Sequence, residues 1–281
     1  IGKAAFRSCN SLDIPTLPRY LETIGEYAFS WSGIKSLKLP QSIQSIGAHS
    51  FQSCNRLETV SIPDHITMID SGTFSYCGKL ASIKLPKNLV EIKYGAFSSI
   101  GAQQIHFPEG LISIGSSAFS NCKHLTEAIL PAGLEKLEGS AFARCPSLNK
   151  ASRPAAILLD GSVWSHCPSL SELRLTQDGR EPLTFDQDGV FFNKSKQLVF
   201  YPPYKFEPTY TVPTGTSAIR SQAFAGHPHV KSVTLRADTT FLDFKAFSEC
   251  EKLQEIVLGK RVTYLSVLVF DKSNQLTIYA D

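Results

Sequence analysis

The sequence predicts a β-rich α/β solenoid, a right-handed stack of about eleven coils of 22 or 23 residues each. Three observations predict it: an aromatic residue that recurs at that interval, a short alternating apolar pair that ends at a proline, and an Ile-Gly step between that proline and the next aromatic. One such coil cannot bury its own apolar side, whereas stacked coils cover one another.

The aromatic residue of an Ala-Phe-like pair sets the period. Successive copies lie 22 or 23 residues apart as far as Trp164, and the spacing resumes at Phe224. The aromatic positions are Phe6, Phe29, Phe51, Phe74, Phe97, Phe119, Phe142, Trp164, Phe224, Phe247 and Phe270. We expect these coils, whole or partial, to form a rod on the order of 50 Å long.

Each coil has one pair of apolar residues two positions apart, such as Val60 and Ile62, which predicts a short strand with alternate side chains pointing inward. Pro63 follows directly, where a residue without an N–H group ends the ladder and leaves no partner unpaired. The arc that comes next is too short for an ordinary helix. It predicts a second extended piece and a single short 3₁₀ or helical turn, so the coils share one parallel sheet with strands about 4.8 Å apart.

The repeat is interrupted between Trp164 and Phe224, because this step from 164 to 224 is 60 residues and fits neither two nor three periods. Residues 188–203 place two β-rich runs around a polar tetrapeptide, which is typical of a hairpin. We therefore expect a single solenoid domain over residues 1–281, with an inserted β-hairpin segment at residues 176–211 that docks on the stack.

The seven cysteines share one position, three residues after the aromatic of their coil. This position predicts buried free thiols, because parallel Cβ vectors in a ladder fit the disulfide dihedral angle poorly. A zinc site is disfavoured, since the sequence has no C-x₂-C pair. The cysteines are Cys9, Cys54, Cys77, Cys122, Cys145, Cys167 and Cys250.

Other candidate chemistry is weak. The segment His227-Pro228-His229 holds a close histidine pair, and His227 stands at the cysteine position, which favours a packed side chain over a metal ligand. Residues 186–189 are faintly similar to a calcium loop but lack the required Glu, so turn chemistry accounts for them. There is no G-x-S-x-G, H-E-x-x-H, P-loop or G-x-G-x-x-G motif. We expect no catalytic centre, no metal and no cofactor.

Composition excludes several classes of protein. With 42% hydrophobic and 19% charged residues the chain should fold, and a net charge of +3 without a run of Lys or Arg disfavours nucleic-acid binding. No apolar stretch approaches the roughly 18 residues that a membrane span needs. Ile1 aligns with Ile24, in the middle of a coil, so we expect a fragment of a longer array. Its uncapped coil favours weak end-to-end self-association.

The recurring Leu-Pro step, Ile-Gly step, Ala-Phe pair and cysteine resemble the BspA-like leucine-rich repeats of bacterial and some protist surface and secreted proteins. The resemblance covers nearly the whole chain, and a similar D-G-V-aromatic-N-K piece in such arrays accounts for the insert. We expect irregular coils where the pattern is broken, at Ala102, Arg153, Val163-Trp164, Arg236 and Gly259.

The resemblance implies a non-catalytic cell-surface or secreted protein that mediates protein–protein or adhesion interactions with host or neighbouring cells. Its ligand would be an extracellular protein or glycan. The alternative is a structural spacer or envelope component without a specific ligand.

Partner-binding residues are sought among large exposed side chains. The strand face away from the core is mostly short and polar, and Arg174 is its one residue of a type favoured in binding hot spots. Aromatic residues gather in the insert, where alternation along two paired strands prevents all of them from facing the stack. The candidates are Phe191, Phe192, Phe200, Tyr201, Tyr204, Phe206 and Arg174. The alternative is that Tyr204, Phe206 and Tyr210 cover the hairpin and make it a local core.

Overall fold

A computed structural model of the chain describes residues 1–12, 16–154, 157, 161–176, 184–185 and 189–280. The predicted solenoid is confirmed: coils pair through parallel strands, and the strands form two ladders along the stack, each divided into shorter sheets. The sequence predicts one parallel sheet. The second extended piece of each coil also pairs with its neighbours, which adds the second ladder.

The longer ladder is formed by the strand that carries the alternating apolar pair. Its parallel register places Leu37 beside Val60 and Val60 beside Ile83, so each inward side chain packs on its equivalent in the next coil. The strands are Ser36–Lys38, Thr59–Ser61, Ser82–Lys84, Glu127–Ile129, Lys150–Pro154, Glu172–Thr176, Thr209–Thr211, Ser232–Thr234, Glu255–Leu258 and Thr277–Ala280.

The shorter ladder follows the proline of each coil and pairs Ile69 with Ile92 and Ile92 with Ile114. Its strands are Thr23–Ile24, Ser45–Ile46, Met68–Ile69, Glu91–Ile92, Ser113–Ile114, Lys136–Leu137, Ala218–Ile219, Phe241–Leu242 and Tyr264–Leu265. Three more strands belong to the insert, at Thr184–Phe185, Phe191–Phe192 and Leu198–Phe200.

Helix is almost absent: within the ranges given above, the one helical element is the 3₁₀ turn Gly161–Trp164. The other coils close through a turn arc, by which we mean the five residues from two before the aromatic to two after it. Its first and last residues have positive φ, near +55° to +70°, in almost every coil. The first position holds Ala4, Tyr27, His49, Gly72, Gly95, Ser117, Ser140, Gln222, Lys245 and Leu268, and the last holds Ser8, Trp31, Ser53, Tyr76, Ser99, Asn121, Arg144, His166, Gly226, Glu249 and Lys272.

The left-handed residues turn alternate N–H groups of the arc toward the next coil. In the second coil Tyr27 donates to the carbonyl oxygen of Ala48 at 3.0 Å, and Phe29 donates to that of Ser50 at 2.8 Å. Trp31 donates to the next coil in the same way, over 2.8 Å. Each such hydrogen bond contributes about 1 kcal/mol, which offsets the roughly 1–2 kcal/mol cost of a non-glycine residue in this conformation.

The aromatic residues form one stacked column inside the solenoid. Neighbouring rings are nearly parallel and 5.2 to 5.6 Å apart from Phe6 to Phe142, and each ring from Phe29 onward in this series is fully buried. Each coil contributes one ring to the column, so the stacked rings help to keep neighbouring coils in register.

The insert is a rung of the stack. Phe191–Phe192 pairs antiparallel with Leu198–Phe200, and Leu198 pairs in parallel with Ile219 of the next coil. Phe191 and Phe200 pack into the core of the coils before the insert, whereas Phe192 and Leu198 pack into the core after it. Of the segment predicted at residues 176–211, residues 177–183 and 186–188 lie outside the described part of the chain.

Tyr201 begins the aromatic column again after the interruption. Its N–H donates to the carbonyl oxygen of Ala223 at 2.8 Å, which is the bond that the phenylalanine makes in other coils, and its ring stacks on Phe224 at 4.5 Å. The column therefore goes on through Phe224 to Phe247 and Phe270.

The cost of the left-handed positions can be measured at Gly95, where φ is +58° and an added Cβ would meet no atom within 4 Å. Gly95→Ala should lower the free energy of unfolding by about 1 kcal/mol, because backbone strain is the one new term. Gly110→Ala is the matched control, since its Cβ also meets nothing within 4 Å and its φ is not positive. Equal urea midpoints for the two variants would contradict the strain argument.

Candidate functional site

The aromatic residues predicted to bind a partner are mostly inside the protein. Phe191, Phe192, Phe200 and Tyr201 are buried, because the hairpin is sandwiched between two halves of the core and both of its faces are covered. These four side chains offer no accessible surface. The alternative prediction, a buried hairpin, agrees better with their positions. The residues that cover the hairpin belong to the coils on either side of it.

The remaining candidates lie nearer the surface but do not form a group. Tyr204 is half-buried, and burial raises the pKa of its hydroxyl above the usual value. Phe206 is 69% exposed and contacts the ring of His229, 4.7 Å away. Arg174 is exposed on the strand Glu172–Thr176, where its guanidinium forms an ion pair with the carboxylate of Glu172.

The cysteine position has a structural role. All seven thiols are free, and the six after Cys9 are buried. Each buried thiol donates a hydrogen bond to the carbonyl oxygen of the aromatic residue in a preceding coil; Cys54 and Phe29 are 3.2 Å apart. Ser273 makes the same bond to Phe247 at 2.8 Å. Cys9 corrects the prediction that every thiol is buried, because it lies exposed in the first coil.

His227 occupies the cysteine position and is packed as a neutral ring. Its Nε2 lies 3.1 Å from the carbonyl oxygen of Pro202, and its Nδ1 accepts a hydrogen bond from the N–H of Val230 at 3.0 Å. Burial lowers its pKa to about 4. Among the described residues, no three His, Cys, Asp or Glu side chains gather as metal ligands. Of the calcium-like segment at 186–189, residues 186–188 lie outside the described part.

A charged cluster connects the coils on either side of the insert. The guanidinium of Arg144 donates to both carboxylate oxygens of Glu249, at 2.7 and 3.2 Å, and holds the pKa of that carboxyl at about 2. The Nε2 atom of His166 lies 3.3 Å from Glu249, and Lys272 lies 3.6 Å away. Gly226 leaves room for this cluster, because a Cβ there would come within 2.5 Å of the ring of His166.

The turn arcs of the early coils expose aromatic rings that the repeat pattern does not mark. Trp31 is 50% exposed, Tyr76 is 56% exposed and Tyr94 is 61% exposed. Trp31 and Tyr76 are the last residues of their arcs, and Tyr94 directly precedes the arc of the next coil after Tyr76. These outward positions vary from coil to coil, so no periodic signal reveals them. We call these three residues the turn-face aromatics.

Two of the turn-face aromatics line a cleft of about 370 Å³. Tyr94 directly precedes one arc, and Tyr76 ends the arc of the coil before it. The cleft is open at Gly95, where an added Cβ would meet no atom within 4 Å, whereas the ring of His49 occupies the space beside Gly72. Hydroxyl and amide side chains complete the lining, at Gln52, Ser75, Ser98, Ser117, Ser120 and Asn121.

Comparison with known proteins places this geometry in a family. The family model described as BspA type Leucine rich repeat region (6 copies) matches residues 1–108, 91–200 and 196–280. A comparison with curated proteins finds no match. No helix in the described ranges has the length and apolarity that a membrane span requires.

Solved structures share the fold. A leucine-rich repeat protein from Bacteroides ovatus is 25% identical, with a TM-score of 0.64 over 100% of this chain and 66% of that one. A leucine rich cell surface protein from Faecalibacterium prausnitzii is 24% identical, with a TM-score of 0.75 over 95% of this chain and 80% of that one. The pneumococcal vaccine antigen PcpA is 22% identical, with a TM-score of 0.65 over 94% and 71%. The chain thus spans slightly less than two thirds of the B. ovatus protein.

The thiol arrangement predicts one fast reaction with Ellman's reagent. Cys9 should react quickly in the native protein, whereas the other six should react only after denaturant is added, because they are buried and burial raises the pKa of Cys250 to about 12. A Cys9→Ser variant should lose the fast phase. Fast labelling of several thiols in that variant would contradict the ladder position.

The buried His227 predicts acid sensitivity. Its folded pKa of about 4 lies below the unfolded value of about 6.5, so the unfolded chain takes up the proton first. Its contribution to stability is complete above about pH 6.5 and is lost as the pH falls toward 4. His227→Cys, which restores the residue of the repeat, should show a smaller fall in urea midpoint between neutral and mildly acidic pH. If the urea midpoint falls equally in the parent protein and in His227→Cys, His227 is not the source of the acid sensitivity.

Proposed function

The chain belongs to the BspA-type leucine-rich repeat family, whose repeats serve protein interactions, and from this premise we propose that it is a cell-surface or secreted binding module. It mediates adhesion or protein–protein interactions with host or neighbouring cells and carries out no catalysis. The observation that carries the proposal is the exposure of Trp31, Tyr76 and Tyr94 on one face of neighbouring coils.

Exposed rings of this kind favour a binding role over a passive one. Trp and Tyr are the residue types enriched in binding hot spots, and a half-exposed ring gains about 25 cal/mol for each Å² of apolar surface that a partner covers. The neighbouring arc positions are small or polar, as at Ser53 and Ser99, so the rings stand clear of the surface.

The relatives support the proposed location. One structure of the same fold is described as a cell surface protein of Faecalibacterium prausnitzii and another as a pneumococcal vaccine antigen. A surface location would present the solenoid to other cells, to host matrix or to soluble ligands. A rigid spacer without a ligand is the second candidate, favoured by the polar, ion-paired strand face around Glu172 and Arg174.

The test is a screen of the purified protein against extracellular-matrix proteins, cell surfaces and glycans. The triple variant Trp31→Ala, Tyr76→Ala, Tyr94→Ala should weaken binding by at least about 30-fold, equivalent to roughly 2 kcal/mol for hot-spot truncation. Tyr20→Ala is the control, because Tyr20 is 73% exposed and lies outside the arcs. Full binding by the triple variant contradicts the assigned face. A protein that binds nothing in the screen is a spacer.

A further inference from the structure

We propose that the cleft between Tyr76 and Tyr94 binds a neutral, hydroxyl-rich saccharide chain. This inference rests on the proposed function and names its ligand class. Three properties of the cleft carry it: its open floor, its aromatic walls and its uncharged polar lining.

The open floor is a feature of side-chain choice. Gly72 and Gly95 have the positive φ of the first arc position, but His49, Ser117 and Gln222 adopt the same backbone conformation with side chains. Backbone conformation alone therefore does not require glycine. At Gly72 the ring of His49 would lie within 2.2 Å of an added Cβ, so the open part of the floor is at Gly95. A Cβ on Gly95 would meet no atom within 4 Å, which shows that no neighbouring side chain fills the space. The volume of about 370 Å³ lies within the range of ligand pockets.

The aromatic walls suit the C–H faces of sugar rings. Tyr76 and Tyr94 are more than half exposed, and both line the cleft. A tyrosine ring offers a flat apolar face and a hydroxyl that exchanges hydrogen bonds. A pyranose ring has the matching character, an apolar C–H face with hydroxyl groups around its edge. When a pyranose ring stacks on a tyrosine ring, the sugar hydroxyls at its edge can form hydrogen bonds with the floor of the cleft.

The floor offers hydrogen-bond partners without charge. Ser75 donates to the carbonyl oxygen of Gly72 at 2.9 Å, which leaves its hydroxyl oxygen free to accept. Within the described residues, the side-chain amides of Gln52 and Asn121, which also line the cleft, make no hydrogen bond to protein. Amide groups both donate and accept, as sugar hydroxyls do.

Charge and backbone geometry decide against other ligands. The lining contains no Asp, Glu, Lys or Arg, so a charged ligand would be desolvated there without a counter-charge. The cleft provides no free sheet edge for an added strand, no apolar groove for an amphipathic helix and no cluster of arginines for a phosphorylated peptide. A neutral saccharide brings no charge that must be desolvated, and its hydroxyls match the amide and hydroxyl groups of the lining.

Trp31 extends the surface beyond one sugar ring. It occupies the same arc position as Tyr76, two coils earlier, with the small Ser53 between them. The core rings of these coils are 5.3 and 5.5 Å apart, so the arc positions of Trp31 and Tyr76 lie about 11 Å apart along the stack. We expect an oligosaccharide to bind more tightly than its monosaccharide.

The experiment is affinity electrophoresis of the whole chain through gels that contain a neutral polysaccharide (β-glucan, mannan or galactan) or an acidic one (heparin or polygalacturonate). At least one neutral polysaccharide should retard the protein. Tyr76→Ala/Tyr94→Ala should weaken that retardation at least 10-fold. Gly95→Gln should do the same by filling the cleft, since Gln222 holds a glutamine at the same arc position. Tyr20→Ala and Gly110→Gln are the controls, and circular dichroism checks that each variant is folded.

The outcomes separate this inference from the proposed function. The inference is supported if a neutral polysaccharide retards the parent protein but does not retard the folded Gly95→Gln variant. If the protein binds a matrix protein through the turn-face aromatics but no neutral polysaccharide, the proposed function stands and the saccharide class is wrong. Retention by acidic polysaccharide alone, weakened by salt, also overturns the inference. Absence of binding to every probe overturns both.

Discussion

The architecture depends on the backbone ladder of the turn arc. Two left-handed residues in each coil aim the N–H groups of the first, middle and last arc positions at the next coil, as at Tyr27, Phe29 and Trp31. This ladder fixes the separation and register of neighbouring coils before any side chain is considered. The stacked aromatic column and the thiol hydrogen bonds follow from this ladder. Once the register is fixed, each core side chain lies next to its equivalent in the adjacent coil.

The insert shows what happens when this ladder is interrupted. A hairpin with both faces apolar takes the place of a coil, and Tyr201 supplies the aromatic ring and the arc hydrogen bond that the missing coil would have made. The hairpin has no residue at the last arc position after Tyr201. The N–H group of His166 therefore donates past the hairpin to the carbonyl oxygen of Ala225, in the coil that contains Gly226. The Arg144–Glu249 pair then spans the joint, and the hydrogen bonds from Arg144 keep Glu249 ionised well below its usual pKa.

Inward positions could be predicted from the sequence, and outward positions could not. Core contacts restrict the residue types at the aromatic, the strand pair and the cysteine, so these recur at a measurable period and reveal the solenoid. The left-handed positions escape notice because they hold Ser, Tyr, His or Trp instead of glycine, and the hydrogen-bond ladder overrides that local cost. The hairpin aromatics were assigned to the surface as candidates because a docked hairpin has one free face; the hairpin within the stack has none. Cys9 departs from its equivalents because it lies in the first coil, where burial is incomplete.

The same arc positions form two different surfaces along one stack. Before the insert they hold Trp31 and Tyr76 with small hydroxyl residues between them, and the surface is neutral and partly apolar. After the insert they hold Lys245, Glu249 and Lys272, whose charges pair with one another and with neighbouring residues across the coils. Charges that are already paired within the protein contribute little binding free energy when a partner covers them. Exposed rings beside unpaired amides contribute more, through burial of apolar surface and through new hydrogen bonds. We therefore place the proposed recognition surface on the early coils, whereas ion pairs connect neighbouring coils around the joint.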